Sequence, residues 1–226
     1  MTTWGKDIWE KKSLNQKGIV IAGGVTRLLL GEKSYLRHLR QIREETNEFL
    51  SVHPEIKTVL EVGPGKDAVN SKFLLSKNYD LDLVDVSPNT IESAKKKLQD
   101  KKVGFYVQDI IDLNLNKKYD LIFCVGTFLH IPQHLALIVM TNFNRHLKKG
   151  KYLIVDFPIK NKMTLKKGLW LGFYSLAHRI KTKITGKDFY VTCGEYTIEE
   201  IKDILKRTSF KVVSVSKKGY WVIQKI

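Results

Sequence analysis

Acidic side chains follow short apolar runs at three points in the chain, and glycines accompany the first of them. Glu61 stands two residues before the turn Gly63-Pro64-Gly65, and Asp85 and Asp109 come at the ends of the second and third runs. Glycine lets bare backbone approach a ligand because it has no Cβ. Carboxylates accept hydrogen bonds from hydroxyl, amino and ammonium groups. These residues predict a ligand-binding site at the ends of strands.

The glycine turn is compatible with more than one ligand. Gly63 to Ala68 fits G-x-G-x-x-A, and Asp85 follows at the spacing of a dinucleotide-binding fingerprint, so a hydride-transferring enzyme is one hypothesis. A tight turn without a ligand is another. Glu61 would repel a pyrophosphate, and Asp67 adds negative charge where a helix N-terminus would hold phosphate. Both acids favour a ligand with an ammonium group and no phosphate.

The surrounding elements alternate between strands and helices. Ser34 is the predicted N-cap of the first helix, and Ser87-Pro88 is the predicted start of the third. The predicted strands are 58–62, 81–86, 103–107, 119–125, 151–156, 210–216 and 220–225. The predicted helices are 35–50, 68–76, 90–99, 132–147 and 197–208. This order predicts an α/β fold with a mostly parallel sheet, helices on both faces and a C-terminal antiparallel pair.

Five stretches resemble the motifs of the class I S-adenosylmethionine-dependent methyltransferases, and they occur in that family's order. They are Glu61-Val62-Gly63-Pro64-Gly65, Leu83-Val84-Asp85-Val86-Ser87, Gln108-Asp109-Ile110, Tyr119-Asp120-Leu121-Ile122-Phe123 with Leu129-His130-Ile131, and Leu147-Lys148-Lys149-Gly150-Lys151-Tyr152-Leu153. The last has Lys151 where the family usually has a second glycine. The antiparallel strand pair at the C-terminus is similar to the family's reversed last strand. The resemblance covers residues 55–226.

The resemblance implies a Rossmann-like seven-stranded sheet that binds S-adenosylmethionine. It implies that Asp85 takes both ribose hydroxyls, that Gln108 and Asp109 contact the adenine, and that the glycines approach the homocysteine moiety. The implied cofactor-binding residues are Glu61, Gly63, Pro64, Gly65, Asp85, Val86, Gln108, Asp109, Ile110 and Val125. Taken singly, Asp85 could instead cap a helix, and Asp109 could form a turn.

His130 is the candidate catalytic base, because it follows the fourth strand near the end where α/β crevices open. A packing or helix-entry role is the alternative for this histidine. His134 and His178 are weaker candidates. Residues 124–131 carry no carboxylate cluster, so no metal is expected.

Two segments are predicted to lie over this site. Residues 1–54 are expected to form an N-terminal helical lid, and residues 55–226 the methyltransferase domain, with 157–196 as a helical cap insert. Apolar residues at steps of three and four, flanked by lysines and arginines, predict a basic amphipathic helix over 165–183. That helix could cap the active site, contact an anionic membrane surface, or contact nucleic acid. Fewer sequence features support the contact with nucleic acid.

Composition sets the remaining expectations. The chain has 226 residues and a formal net charge of +16, which suits an anionic partner and also fits a general lysine bias. Two cysteines and no signal-like or membrane-spanning run predict a cytoplasmic protein. The predicted function is methyl transfer from S-adenosylmethionine to an oxygen or nitrogen of a small-molecule, lipid- or glycan-type acceptor. The alternatives are an RNA methyltransferase and a non-catalytic cofactor-binding regulatory protein.

Overall fold

The computed structural model describes residues 32–99, 102–160, 195–216 and 220–226. Helices and strands alternate along these residues up to the last two strands, and single 3-10 turns follow β3 and β4. In chain order the elements are α1 (Glu32–Ser51), β1 (Thr58–Val62), α2 (Val69–Leu75), β2 (Asp80–Asp85), α3 (Pro88–Leu98), β3 (Val103–Val107), a 3-10 turn (Ile110–Asp112), β4 (Tyr119–Cys124), a 3-10 turn (Phe128–His130), α4 (Gln133–His146), β5 (Leu147–Asp156), α5 (Ile198–Arg207), β6 (Phe210–Val215) and β7 (Tyr220–Lys225).

The seven strands form one sheet in the order β3-β2-β1-β4-β5-β7-β6. The strands β1 to β5 are parallel, whereas β7 runs antiparallel to both β5 and β6. The predicted fold class, with its antiparallel C-terminal pair, is therefore confirmed. The strand order reverses beside β1, which lies between β2 and β4. In open α/β sheets the ligand crevice forms at such a reversal, beyond the carboxyl ends of the strands.

Both faces of the sheet are buried, which is why its strands read as nearly continuous apolar runs. On the first face, Leu83, Phe123 and Ile154 pack in one cluster with Ile42 of α1 and Ile91 of α3. On the second face, a separate cluster contains residues of α4 and α5 together with the alternate strand residues. Its members include Leu60, Ile122, Leu153, Val139, Phe143 and Ile201. Helices therefore cover both faces, as predicted.

Two local predictions are wrong. Ser34 lies inside α1, which already includes Glu32, so it is not the N-cap of that helix. The fourth helix ends at His146 and β5 begins at once with Leu147, whereas the sequence predicted a helix-stopping turn before a strand at Lys151. Gly150 explains the second difference. Its φ of +72° lies next to a break in register between β4 and β5, so the chain stays extended through an irregularity.

The predicted cap leaves and rejoins the sheet at one place. Lys160 donates its N–H to the Tyr196 carbonyl at 2.8 Å, and Tyr196 donates to the Pro158 carbonyl at the same distance. Both ends of the insert therefore lie just beyond the carboxyl end of β5. Residues 161–194 of the predicted cap insert 157–196, which include its predicted helix 165–183, fall outside the described residues, as do residues 1–31 of the predicted lid 1–54 and the hairpin turn 217–219, so the cap and the lid stay predictions.

Candidate active site

The carboxyl ends of the central strands bring the predicted site residues to one edge of the sheet. Glu61 is aligned with Leu83 of β2 and Phe123 of β4, so these side chains share the first face. Two residues further along each chain segment, the same face carries Gly63, Asp85 and Val125. The N–H of Gly63 donates to the Val84 carbonyl at 2.9 Å, so the ladder continues into the glycine turn.

The two glycines of the turn have different surroundings. Both are left-handed, with φ of +69° at Gly63 and +67° at Gly65, a conformation that favours glycine. A Cβ on Gly63 would come within 2.1 Å of the Thr127 hydroxyl oxygen, whereas a Cβ on Gly65 would meet nothing within 4 Å. Thr127 itself donates to the Val62 carbonyl at 3.0 Å. Gly63 thus lets the loops after β1 and β4 pack together, and Gly65 exposes backbone to an open cradle beside the buried Pro64.

Asp67 does not supply the repulsion that the sequence suggested. Its carboxylate is paired with Lys97 of α3, and its side chain is largely exposed. The ion pair offsets its charge, so Asp67 has little influence on which ligand the turn accepts. The preference for a cationic ligand depends on Glu61 instead.

Glu61 is a buried carboxylate at the start of the turn. Only 2% of its surface is exposed, and its Oε2 atom has no hydrogen-bond partner among the described residues. Burial raises the pKa of Glu61 to about 7. A buried carboxylate oxygen without a partner is costly unless a ligand satisfies it. The ammonium group of S-adenosylmethionine fits this requirement.

Asp85 ends β2 in the position expected of the ribose-binding acid. Its Oδ1 atom accepts the Ser87 N–H at 2.8 Å, and Ser87 in turn caps α3. The helix-capping alternative for Asp85 is therefore wrong, because Ser87 has that role. Burial raises the pKa of Asp85 to about 6. Val86 follows Asp85 and is half-buried.

The predicted adenine-contacting residues also hold their own loop together. Asp109 accepts the Ile111 N–H at 3.0 Å and caps the 3-10 turn, and Gln108 accepts the Asn114 N–H at 3.1 Å. Burial is the main cause of a raised pKa at Asp109. The turn-forming alternative for Asp109 is thus part of its role, while the Ile110 side chain is buried in the second-face core.

His130 ends the 3-10 turn that follows β4, and its N–H donates to the Thr127 carbonyl at 3.0 Å. The residue is half-buried beside the loop that packs on Gly63. His134 is exposed on α4, and His178 lies outside the described residues. Val125 is half-buried against the first-face core. The structure therefore brings His130 to the same edge of the sheet as the predicted cofactor-binding residues.

Asp156 is a further acid at this edge that the sequence interpretation missed. It ends β5 after Leu153-Ile154-Val155, the same signal that marked Asp85. Its Oδ2 atom accepts the Gly126 N–H at 2.8 Å, while Oδ1 is buried and has no partner among the described residues. Burial raises the pKa of Asp156 to about 7. Gly126 has a φ of +79° and open space where a Cβ would project.

Two other kinds of site are not found in the described part of the chain. No group of three or more His, Cys, Asp or Glu side chains is arranged there to hold a metal ion. No helix within it is long and apolar enough to cross a membrane.

Comparison with known proteins gives a consistent family. The family described as "Methyltransferase domain" matches residues 34–215. Malonyl-[acyl-carrier protein] O-methyltransferase 1 of Ilyobacter polytropus is 29% identical over 76% of this chain and 68% of its own length. A second such enzyme of that organism is 30% identical over 55% of this chain, but the match spans only 49% of its own length.

Solved structures share the fold at low sequence identity. Magnesium protoporphyrin IX methyltransferase from Synechocystis PCC 6803, with bound SAH, aligns over 98% of this chain and 94% of its own, at a TM-score of 0.61 and 16% identity. An S-adenosylmethionine-dependent methyltransferase from Clostridium acetobutylicum aligns over 88% of this chain and 95% of its own, at a TM-score of 0.59 and 16% identity.

Proposed function

Because the chain belongs to the methyltransferase-domain family and uses S-adenosylmethionine, we propose that it transfers the methyl group to an oxygen or nitrogen of a small-molecule acceptor. Lipid- and glycan-type molecules are included among these acceptors. The cofactor lies along the carboxyl edge, with Asp85 at the ribose and Glu61 at the ammonium group. The acceptor lies beyond β1, toward β4 and β5.

The assignment rests on a difference between the acidic side chains at the two ends of the sheet. At the amino end, buried acids have cationic partners: Lys148 lies 3.0 Å from Asp120, and Lys117 lies 2.9 Å from Asp82. Against the effect of burial, the Thr58 backbone N–H, Lys148, the Lys57 backbone N–H and the Thr58 hydroxyl together hold the pKa of Asp120 at about 2. At the carboxyl edge, Glu61, Asp85 and Asp156 form no such ion pair among the described residues.

Unpaired buried carboxylates raise the free energy of the empty site, because burial removes their hydration. A ligand that brings positive charge relieves that cost when it binds. S-adenosylmethionine carries both an ammonium and a sulfonium, so it matches an acidic edge better than a pyrophosphate-containing dinucleotide does. Methyl transfer then needs an acceptor atom held in line with the methyl–sulfur bond, and positioning supplies much of the rate.

A carrier-protein-bound carboxyl group is the second candidate acceptor. Two curated relatives act, by name, on a malonyl group attached to an acyl-carrier protein. The formal net charge of +16 would suit an acidic protein partner. This candidate differs chemically from the first, because a carboxylate acceptor has no proton to lose during methylation.

The test is a methyl-transfer assay with S-adenosylmethionine that carries a tritiated methyl group. The acceptor panel contains small amines, alcohols and phenols, their carboxylate counterparts, malonyl-acyl-carrier protein and a transfer RNA. We expect label in an amine or hydroxyl acceptor. Label only in malonyl-acyl-carrier protein would support the second candidate. Label only in RNA, with affinity falling steeply as salt increases, would contradict both.

A further inference from the structure

We propose that Asp156 is a catalytic residue on the acceptor side of the site, where its Oδ1 atom takes the proton from a hydroxyl or amine as that group is methylated. The inference rests on the proposed function, and it narrows the acceptor to one that carries a removable proton. The same reaction at a carboxylate would leave Asp156 with no proton to accept.

The sheet places Asp156 beside the cofactor residues and past the methyl donor. Phe123 is aligned with Glu61 on one side and with Ile154 on the other, so all three side chains lie on the first face. Asp156 lies two residues beyond Ile154 and therefore shares that face with Asp85. Adjacent strands are about 4.8 Å apart, so β5 lies about 10 Å from β1. A cofactor spread over β2 and β1 leaves this interval for its methyl group and the acceptor.

The carboxylate of Asp156 is held in a fixed orientation with one oxygen left over. The Gly126 N–H binds Oδ2 at 2.8 Å, and Oδ1 is buried without a partner in the described part of the chain. A Cβ on Gly126 would meet nothing within 4 Å, so there is open space beside the residue whose N–H binds Oδ2. A base must lie within hydrogen-bond reach of the proton that it removes, so the proposal requires the acceptor to reach Oδ1 from this space.

No cationic side chain forms an ion pair with Asp156 within the described part of the chain. Its register partner on β7 is Tyr220, whose hydroxyl donates to Glu45 of α1 at 2.6 Å. Cys124 of β4 is the other titratable neighbour, and the charge of Asp156 contributes to the raised pKa of its thiol. These residues are acidic or neutral, so the carboxylate keeps the basicity that burial gives it.

Aromatic side chains cover the opposite side of the same strand ends. Phe157 contacts both Phe128 and Trp221 edge-on, with ring centroids 4.8 Å apart for Phe128–Phe157 and 5.9 Å apart for Phe157–Trp221. The two ends of the insert meet beside them, at Lys160 and Tyr196. These rings make the second face of the sheet apolar at this end, behind the first face that carries Asp156.

The step balances without a further reactant. The acceptor's O–H or N–H bond breaks and its proton passes to Asp156 Oδ1. The acceptor's electron pair forms the new bond to the methyl carbon, and the carbon–sulfur pair returns to sulfur. S-adenosylhomocysteine and a protonated Asp156 remain, and the proton leaves to water when product departs.

The first test needs no knowledge of the acceptor. Carboxyl-carbon NMR follows the titration of Asp156 in complexes with S-adenosylmethionine and with S-adenosylhomocysteine, and Asp156→Asn identifies its signal. A sulfonium nearby should lower the pKa of Asp156 by about one unit relative to the neutral thioether. The same pKa in both complexes would place Asp156 away from the methyl group and would overturn the proposal. The methyltransferase assignment would stand, because both ligands would still bind.

The second test uses the acceptor that the tritium assay reveals. Asp156→Asn keeps an oxygen for the Gly126 N–H and loses the base, so kcat should fall by about 100-fold or more while the Kd for S-adenosylmethionine stays within about twofold. The rise of kcat with pH, expected about one unit below the pKa of about 7 that Asp156 has without ligand, should disappear. Asp203→Asn is the same change on the exposed surface of α5, and it should leave kcat and the Kd for S-adenosylmethionine unchanged. Methylation of malonyl-acyl-carrier protein by Asp156→Asn at the wild-type rate would contradict the proposal.

Discussion

The contact between Gly63 and Thr127 decides how closely the two loops of the active site approach. Thr127 fills the space that a side chain at position 63 would need, and its hydroxyl also binds the strand that precedes the glycine turn. The turn is therefore constrained twice, by its left-handed backbone and by its neighbour. Gly65, two residues later, shares only the backbone constraint.

Gly63→Ala should lower the free energy of unfolding by about 3 kcal/mol, because it combines left-handed strain with a steric overlap. Gly150→Ala is the matched control. Gly150 is also left-handed, but a Cβ there would meet nothing within 4 Å. Only the backbone strain remains, so Gly150→Ala should lower the free energy of unfolding by about 1 kcal/mol. Urea unfolding of the two variants measures the difference. Equal losses of unfolding free energy in the two variants would contradict the expected steric overlap with Thr127.

Glu61→Gln should make the apo protein more stable above neutral pH and weaken cofactor binding. The folded-state pKa of about 7 exceeds the ordinary glutamate value of 4.5, so the folded chain binds more protons than the unfolded chain between these values. Stability therefore falls as pH rises through this window, by up to about 3 kcal/mol for this group.

The substitution removes that titration, so unfolding between pH 5 and 8 should depend less on pH. The amide cannot pair with an ammonium, so affinity for S-adenosylmethionine should fall about tenfold or more. Denaturation and calorimetry measure the two effects. A variant with an unchanged pH dependence would show that Glu61 is not the buried titrating acid.

Sequence reasoning proposed individual candidate site residues where a residue type has a distinctive position. Acids after apolar runs and glycines in a turn marked Glu61, Gly63 and Asp85. The same signal at Asp156 was overlooked, because its meaning depends on a contact that sequence spacing does not reveal. The Gly126 N–H that holds one oxygen of Asp156 comes from a different strand end, 30 residues earlier.

At the scale of elements, the buried side chain of Asn142 joins α4 to the turn after β3. The Asn142 amide donates to the Ile110 carbonyl at 3.0 Å and to the Ile111 carbonyl at 2.6 Å. These carbonyls belong to the turn that follows the predicted adenine contacts. A helix on the second face thus positions a loop at the cofactor edge.

Asn142→Ala should destabilise the protein by about 2 kcal/mol, since it leaves two backbone carbonyls unpaired, and it should weaken S-adenosylmethionine binding. Thr197→Ala provides the contrast, because it breaks the capping box with Glu200 at the start of α5. Thr197→Ala should lower the free energy of unfolding by about 1 kcal/mol without affecting cofactor affinity. Calorimetry on both variants separates the effects, and equal cofactor affinities would contradict a positioning role for Asn142.

Element positions were largely predictable because apolar periodicity and capping residues act locally. Six of the predicted strands lie within one residue of the observed ends, and β1, β3 and β7 match. The start of β5 was missed because its first residues pair with β4 across a bulge. That pairing is a tertiary effect, and the run Lys148-Lys149-Gly150 looks like a helix-ending turn on its own.

At the scale of the whole molecule, the sheet separates buried acids into two classes. Those near the amino ends of the strands are paired with lysines and stabilise the fold. Those at the carboxyl edge have no cation beside them among the described residues, and burial raises their pKa. The apo protein therefore carries an electrostatic cost at the edge where the family binds its cofactor.

The most direct test of this account is the number of protons released when S-adenosylmethionine binds. Calorimetry at pH 7, in two buffers of different ionisation enthalpy, measures that number. A pKa of about 7 leaves Glu61 half-protonated, so pairing with the ammonium should release about half a proton from this residue. The release should decrease toward pH 8.5, and Glu61→Gln should lower it by about half a proton at pH 7, leaving the share that Asp156 releases beside the sulfonium. Binding heats that are identical in both buffers would contradict the account.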